Sequence, residues 1–292
     1  MIKITVLGGS GFLGSAFSDF LASKGKYEVK VLDIKKKKLM KNQKFIYGSI
    51  LDIKNLNKAI HGADYVFNFA ALADLDQALN KPLETAKINI IGTINSLLIS
   101  KKCKVKKFIQ ASTIYANSEQ GGFYGASKKA AEDYVERFCQ KYNLKYVILR
   151  FGSLYGSGAG YSNGINTIID NAIKNNLLKY KGSKNASRKY IHINDACRAC
   201  LEVLKNKYNN EYLNITGKKT IKIINLLKIL SNITKISQKK IKFEGKQNEG
   251  HYITNPKKFK PRLGKNLIIK KNENFTKKLF EVYLERKEKI KI

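Results

Sequence analysis

Cysteine is scarce in this sequence. Cys103, Cys139, Cys197 and Cys200 are too few and too scattered for a disulfide scaffold. Two of them form a CxxC, but it sits in NDACRACLEVL, which reads as a helix. No second CxxC or nearby His pair accompanies it, and His192 falls at the end of a strand pattern. The two thiols therefore read as small packing residues, and no metal site is expected. No window approaches 18 uninterrupted apolar residues, which argues against a membrane-spanning helix. MIKITVLGGSG reaches a glycine turn after about six residues, too soon for a signal-peptide apolar region. A soluble cytoplasmic protein is the expectation.

Acidic residues are also few, 22 against 56 Lys and Arg, and the formal net charge is +34. Arginine is scarcer still, with six in all and none before Arg137. Readers of base edges lean on the rigid bidentate fork of Arg. Here the charge is carried by Lys spread over the whole chain, beside abundant Asn and Ile, and reads as solvated helix faces. A basic chain still attracts phosphate, so a nucleic-acid-binding protein stands as the rival class.

What is present is order. The 292 residues, 43% of them apolar, suffice for a sizeable core. Strand-like runs at 2–8, 28–33, 44–48, 65–71, 106–112 and 145–152 alternate with helical stretches. Those helices are expected near 12–24 and 55–61, from Pro82 to Lys102, and from Tyr124 onward. Buried runs alternating with helices predict an α/β fold whose parallel sheet is covered on both faces. After residue 152 the pattern loosens into a glycine-rich loop, helices near 164–176, 194–205 and 223–232, and a strand at YLNITG. The last stretch, FTKKLFEVYLERKEKIKI, is amphipathic and reads as a terminal helix packed on one face.

GGSGFLG places Gly8, Gly11 and Gly14 between the first strand and the first helix. The first glycine allows the turn, the second admits a pyrophosphate close to backbone, and the third lets the helix pack on the strand. Phe12 and Leu13 open that helix, whose unpaired N–H groups favour an anion. Asp33, followed by Ile34, ends the second strand. A carboxylate there accepts hydrogen bonds from ribose hydroxyls and repels a 2′-phosphate, so NAD is favoured over NADP. Lys35 to Lys38 lie close enough to oppose that choice.

With these motifs the chain resembles the extended short-chain dehydrogenase/reductase family, in particular its NAD-dependent nucleotide-sugar epimerases and dehydratases, UDP-glucose 4-epimerase among them. The resemblance rests on GxxGxxG, GSILD (48–52), FNFAALA (67–73), and Asn89, Gly92 and Thr93 in KINIIGTINSLL. It continues through ASTIYA (111–116), Tyr124-x-x-x-Lys128, LRFGSLYG (149–156), RKYIHINDACRA (188–199) and YLNITG (212–217). It implies a Rossmann-type doubly wound NAD domain over 1–152, to which segments near 188–216 return. A smaller α/β substrate domain over 153–292 follows, with a nucleotide-sugar held between the two.

The resemblance implies further roles. Ser49 and Ile50 would lie beside the adenine, and Ala70, Ala71 and Asn89 on the cofactor. Arg188 would meet the substrate diphosphate. A homodimer would form through the helix after Pro82 and the helix of Tyr124. Three departures stand out. Ser49 replaces an acidic residue, Ser153 replaces a substrate-contacting Asn, and only ten residues separate Thr113 from Tyr124.

A tyrosine with pKa near 10 is a poor base. An ammonium about 4 Å away favours the phenolate by up to about 4 kcal/mol at an effective dielectric near 20. Tyr124, helped by Lys128, is therefore expected to take a hydroxyl proton as hydride leaves the same carbon. Lys128 would also bond the nicotinamide ribose, and Thr113, with Ser112 as the alternative, would orient the reacting hydroxyl. Related dehydratases carry Asp-Glu after the Thr, whereas here Ile114 and Tyr115 follow it. The expectation is epimerisation, at C4 of a UDP-hexose for polysaccharide synthesis. A nucleotide-sugar dehydrogenase or ketoreductase is the enzyme alternative.

Overall fold

The structure, a computed structural model, describes residues 1–118, 121–160, 163–244, 264–267 and 273–291. Its elements begin with β1 (Ile2–Leu7), α1 (Phe12–Ala22), β2 (Tyr27–Asp33), β3 (Gln43–Tyr47), α2 (Ile53–Ile60) and β4 (Tyr65–Asn68). Next come α3 (Leu75–Asn80), α4 (Pro82–Ala86), a π-helical turn (Lys87–Ile91), α5 (Gly92–Lys102), β5 (Lys107–Thr113) and a 3₁₀ turn (Ile114–Asn117). They lead to α6 (Gly122–Tyr142), β6 (Lys145–Phe151), β7 (Ser153–Tyr155), α7 (Gly164–Asn175), β8 (Leu178–Lys181), β9 (Ser187–Arg188) and β10 (Tyr190–His192). The last are α8 (Ile193–Glu202), β11 (Glu211–Ile215), β12 (Ile221–Lys222), α9 (Ile223–Thr234), β13 (Ile241–Glu244), β14 (Lys265–Asn266) and α10 (Phe275–Lys291).

The described residues form two units, one of 1–151, 197–215 and 264–267, the other of 152–196, 216–244 and 273–291. The return to the first unit thus starts at Cys197 and not near residue 188. The reason is pairing: β9 bonds β12 and β10 bonds β7, all four within the second unit.

In the first unit eight parallel strands lie in the order β14-β11-β6-β5-β4-β1-β2-β3. All seven residues of β5 are buried, as a parallel strand with helices on both faces requires. The chain steps outward from β1 through β2 to β3, then returns to β4 on the other side of β1. That reversal leaves a crevice at the carboxyl ends of β1 and β4, where this class of sheet binds ligands. Leu7, Leu32, Leu56, Ile60, Val66, Phe108, Val135 and Ile148 fill one core of the unit.

Two local results differ from the sequence expectation. The helix expected from Pro82 to Lys102 is interrupted by the π turn, because Asn89 turns inward to bond the loop after β4. A π turn inserts a residue and re-aims its side chain. Helix α3 was not expected; Asp74 caps it by accepting the Gln77 N–H, and the D-x-x-Q spacing is its signal.

The second unit has a core of its own, formed by Tyr155, Ile165, Ile169, Leu178, Leu226 and Leu230. Leu279 and Val282 of α10 are buried in it, so the amphipathic terminal segment packs one face inward. An Arg286–Asp170 ion pair joins α10 to α7. Among the described residues no helix is long and apolar enough to cross a membrane.

Candidate active site

Backbone proximity builds the first part of the site. Gly8 has φ +74°, and a Cβ there would lie 2.5 Å from Ala70 N. At Gly14 a Cβ would lie 2.1 Å from Gly8 O. Only glycine permits both the left-handed turn and the approach of α1 to it. Gly11 caps α1 with no side-chain hydrogen bond, leaving the first-turn N–H groups, at Phe12 and Leu13, without a side-chain acceptor.

Asp33 is fastened at the edge of this cradle. One carboxylate oxygen accepts the Ser10 N–H at 2.9 Å and the other the Lys35 N–H at 2.9 Å. Ile34 beside it is exposed. Lys37 is drawn away to Asp19 at 2.6 Å and Ser18 Oγ at 3.0 Å. One of the four lysines that could serve a 2′-phosphate is thus engaged elsewhere, Lys35, Lys36 and Lys38 staying exposed, and the acid that suits two free ribose hydroxyls is in place. These residues fit NAD.

The other cofactor-side residues divide by what they touch. Ser49 Oγ accepts the Leu51 N–H at 3.1 Å. The Ile50 side chain is buried, and a Cβ at Gly92 would lie 2.3 Å from its Cδ1. Ile50 therefore has only backbone to offer an adenine. Ala70 and Ala71 are half-buried. Asn89 is 1% exposed and serves as a tie: its amide bonds both the N–H and the carbonyl of Leu72 and the Ser127 hydroxyl, at 2.8, 3.1 and 2.9 Å. Asn89 thus holds the loop after β4 to α6.

Strand β5 delivers Ser112 and Thr113, whose side chains fall on opposite faces by the strand period. Ser112 Oγ donates to Glu132 at 2.5 Å. This corrects the alternative that Ser112 orients the reacting hydroxyl, since its own hydroxyl is committed to a buried carboxylate. Thr113 Oγ1 accepts the Tyr115 N–H at 3.3 Å and keeps its proton to give. Gly121, at φ +86°, starts α6, which carries Tyr124 and Lys128 one turn apart.

Lys128 is 2% exposed, and burial lowers its pKa to about 8 while the Glu132 charge opposes that shift. Burial pushes the Tyr124 phenol well above its usual range, and Tyr115 adds to the effect. This shift is opposite in direction to the lowering expected of Lys128.

A glycine-cradled nucleotide site beside a Thr, Tyr and Lys on a doubly wound sheet has a counterpart among known proteins. The NAD dependent epimerase/dehydratase family matches residues 4–216. The chain belongs to that family. It is similar to a Methanocaldococcus jannaschii protein provisionally named UDP-glucose 4-epimerase, 30% identical over 74% of this chain and 78% of the other. It is also similar to human dTDP-D-glucose 4,6-dehydratase, 26% identical over 80% of this chain and 74% of that one. The structure of Thermotoga maritima UDP-glucose 4-epimerase with UDP-glucose matches with a TM-score of 0.79 at 26% identity, covering 99% of this chain and 100% of that one.

This epimerase/dehydratase family member is therefore an NAD-dependent enzyme. Two of its sequence-predicted substrate residues lie in the second unit. Arg188 is 8% exposed in β9 and donates from Nη2 to Tyr180 Oη at 3.3 Å. Ser153 opens β7, half-buried, with its N–H on the Lys189 carbonyl at 3.0 Å. Sequence reasoning missed Glu132 and Arg150, which form an ion pair at 2.6 Å with both side chains fully buried. The signal was present in the steps of four from Tyr124 to Lys128 to Glu132, which place all three on one helix face.

Proposed function

We propose that the protein is a nucleotide-sugar 4-epimerase that acts on a UDP-hexose through a transient 4-keto sugar, in the supply of sugars for polysaccharide. The observation that carries this reading is the composition of the site. Thr113, Tyr124 and Lys128 are present, while the positions after Thr113, Ile114 and Tyr115 in the 3₁₀ turn, hold no carboxyl pair for elimination. The similarity to proteins named UDP-glucose 4-epimerase supports the same choice.

NAD, when bound, supplies a site that takes a hydride from the sugar carbon and gives it back. Tyr124 takes the C4 hydroxyl proton as the carbonyl forms, and returns it after the 4-keto sugar has turned its other face. Thr113 donates its hydroxyl hydrogen bond to the C4 oxygen and steadies the charge that develops there. Lys128 keeps an ammonium beside the phenolate and a donor for the nicotinamide ribose. Arg188 offers a planar fork to the diphosphate.

A homodimer is part of this proposal. Leu83, Ile91 and Leu98 stand exposed along α4, the π turn and α5, and Tyr134 and Tyr142 along α6. A second copy presenting the same stripe would cover them. The reading is tested by incubating the protein and NAD⁺ with UDP-, GDP- and dTDP-sugars. New C4 epimers without accumulation of NADH are expected, and Tyr124→Phe should lower turnover by at least about 10²-fold. Stoichiometric NADH would point to net oxidation and overturn the epimerase reading.

A further inference from the structure

Glu132 stands at the junction of three elements. It lies one turn beyond Lys128 on α6 and is fully buried. Its Oε1 receives Ser112 Oγ at 2.5 Å and Arg150 Nε at 2.8 Å, and its Oε2 receives Arg150 Nη2 at 2.6 Å. The Arg150 guanidinium lies over the Tyr212 ring at 4.8 Å, and Tyr212 Oη donates to Glu136 at 3.1 Å. The carboxylate is thereby held by β5 immediately before Thr113, by β6 through Arg150, and by the helix that carries Tyr124 and Lys128.

We propose that Glu132 is a positioning residue for the reaction, a fixed buried anion that keeps Lys128 protonated and locks α6 to the end of β5 that bears Thr113. The inference rests on the reading of Tyr124 and Lys128 as the proton-transfer pair. A buried ion pair is weak support for stability, because an apolar pair of the same volume often serves as well. Its place is what argues for a role in the chemistry. Burial works against the Lys128 ammonium, and Glu132 is the charge that acts in the opposite direction. The other groups facing this locus are Arg150 on β6, Tyr212 on β11, Ser112 and Thr113 on β5, Tyr115 in the 3₁₀ turn, and Tyr124 and Glu136 on α6. The other elements packed against α6 are α3, α4, the π turn and α5; their buried polar groups are Thr85, Asn89, Thr93, Ser96 and Ser100, and their charged groups, Asp76, Glu84, Lys87, Lys101 and Lys102, are exposed.

The test compares Glu132→Gln, Glu132→Asp and the paired Glu132→Gln/Arg150→Met with the unmodified protein. The pair removes both buried charges, so it folds even where the single change leaves Arg150 unpaired. Lys128 is titrated by ¹³Cε NMR without sugar, its signal assigned by its loss in Lys128→Met. The pH profile of kcat is measured on the sugar that is turned over. The paired variant should melt close to the unmodified protein, yet its Lys128 should titrate about one pH unit lower. At pH 8 that leaves the ammonium on only about a tenth of the molecules, and the alkaline limb of kcat moves with it. Glu132→Asp should recover part of both. A paired variant with unchanged Lys128 titration and an unchanged profile overturns the proposal and leaves a packing role. Full activity of Tyr124→Phe would overturn the underlying reading instead, while the NMR titration would still report whether Glu132 governs Lys128.

Discussion

The two ends of β5 each depend on a buried lysine. Lys107 begins the strand and is 2% exposed; Lys128, also 2% exposed, belongs to the helix that follows its other end. Burial lowers both pKa values to about 8. Yet Lys107 Nζ donates to the carbonyls of Val203, Leu204 and Lys205, each at 3.0 Å. It closes the C-terminal end of α8, where a cation is favoured. Lys128 has instead a tyrosine one turn before it and a carboxylate one turn after. A lowered pKa therefore does not distinguish a structural lysine from a chemical one. The difference lies in the partners: Lys107 gives all three hydrogens to backbone, whereas Lys128 shares its helix face with Tyr124 and Glu132, the groups proposed to react and to tune.

The largest way to sharpen this contrast is Lys128→Met. Turnover should fall by about 10²- to 10⁴-fold with little change in melting temperature, as read by kinetics beside calorimetry. Next is the pair of neighbours on β5. Thr113→Val should cost about 10²-fold in kcat. Ser112→Ala should cost only a few-fold, because Arg150 still holds Glu132. Equal losses at the two positions would return Ser112 to the substrate.

Lys107→Met should act on the other side of the comparison. It leaves one buried and two part-buried carbonyls without their donor and should lower stability by about 1–3 kcal/mol while kcat per folded molecule is unchanged. The smallest expected effect is on pH dependence. An unfolded lysine holds its proton up to about pH 10.4, and the folded Lys107 only to about pH 8. Between those values the unfolded chain binds more protons, so this group makes stability rise with pH across the window. Below about pH 8 it contributes no slope. Denaturant titrations at pH 7.5 and 9.5 should show the rise shrink in Lys107→Met.

The legible part of this molecule was its local chemistry. β-branched runs marked the strands, glycines marked the turn before α1, and Asp33 and the Tyr124–Lys128 spacing needed no distant partner to be noticed. What escaped were pairings across long separations. Lys107 meets carbonyls almost a hundred residues on, Arg150 meets Glu132 from another strand, and Asn89 breaks a helix to reach Leu72 and Ser127. The two-residue strand β14 gives no pattern to detect. Ser112 and Thr113 show a finer limit. Strand alternation says that they face opposite ways, but only Glu132 reveals which one faces inward.

Asn89 has one more consequence. By bonding both the N–H and the carbonyl of Leu72, its side-chain amide imitates the rung that a neighbouring strand would supply. Leu72 lies outside any helix or strand, in a stretch where amide hydrogens ordinarily trade with solvent quickly. Its own should persist in heavy water for as long as those of β4, and replacing Asn89 by Ala should release it within the time of a loop opening.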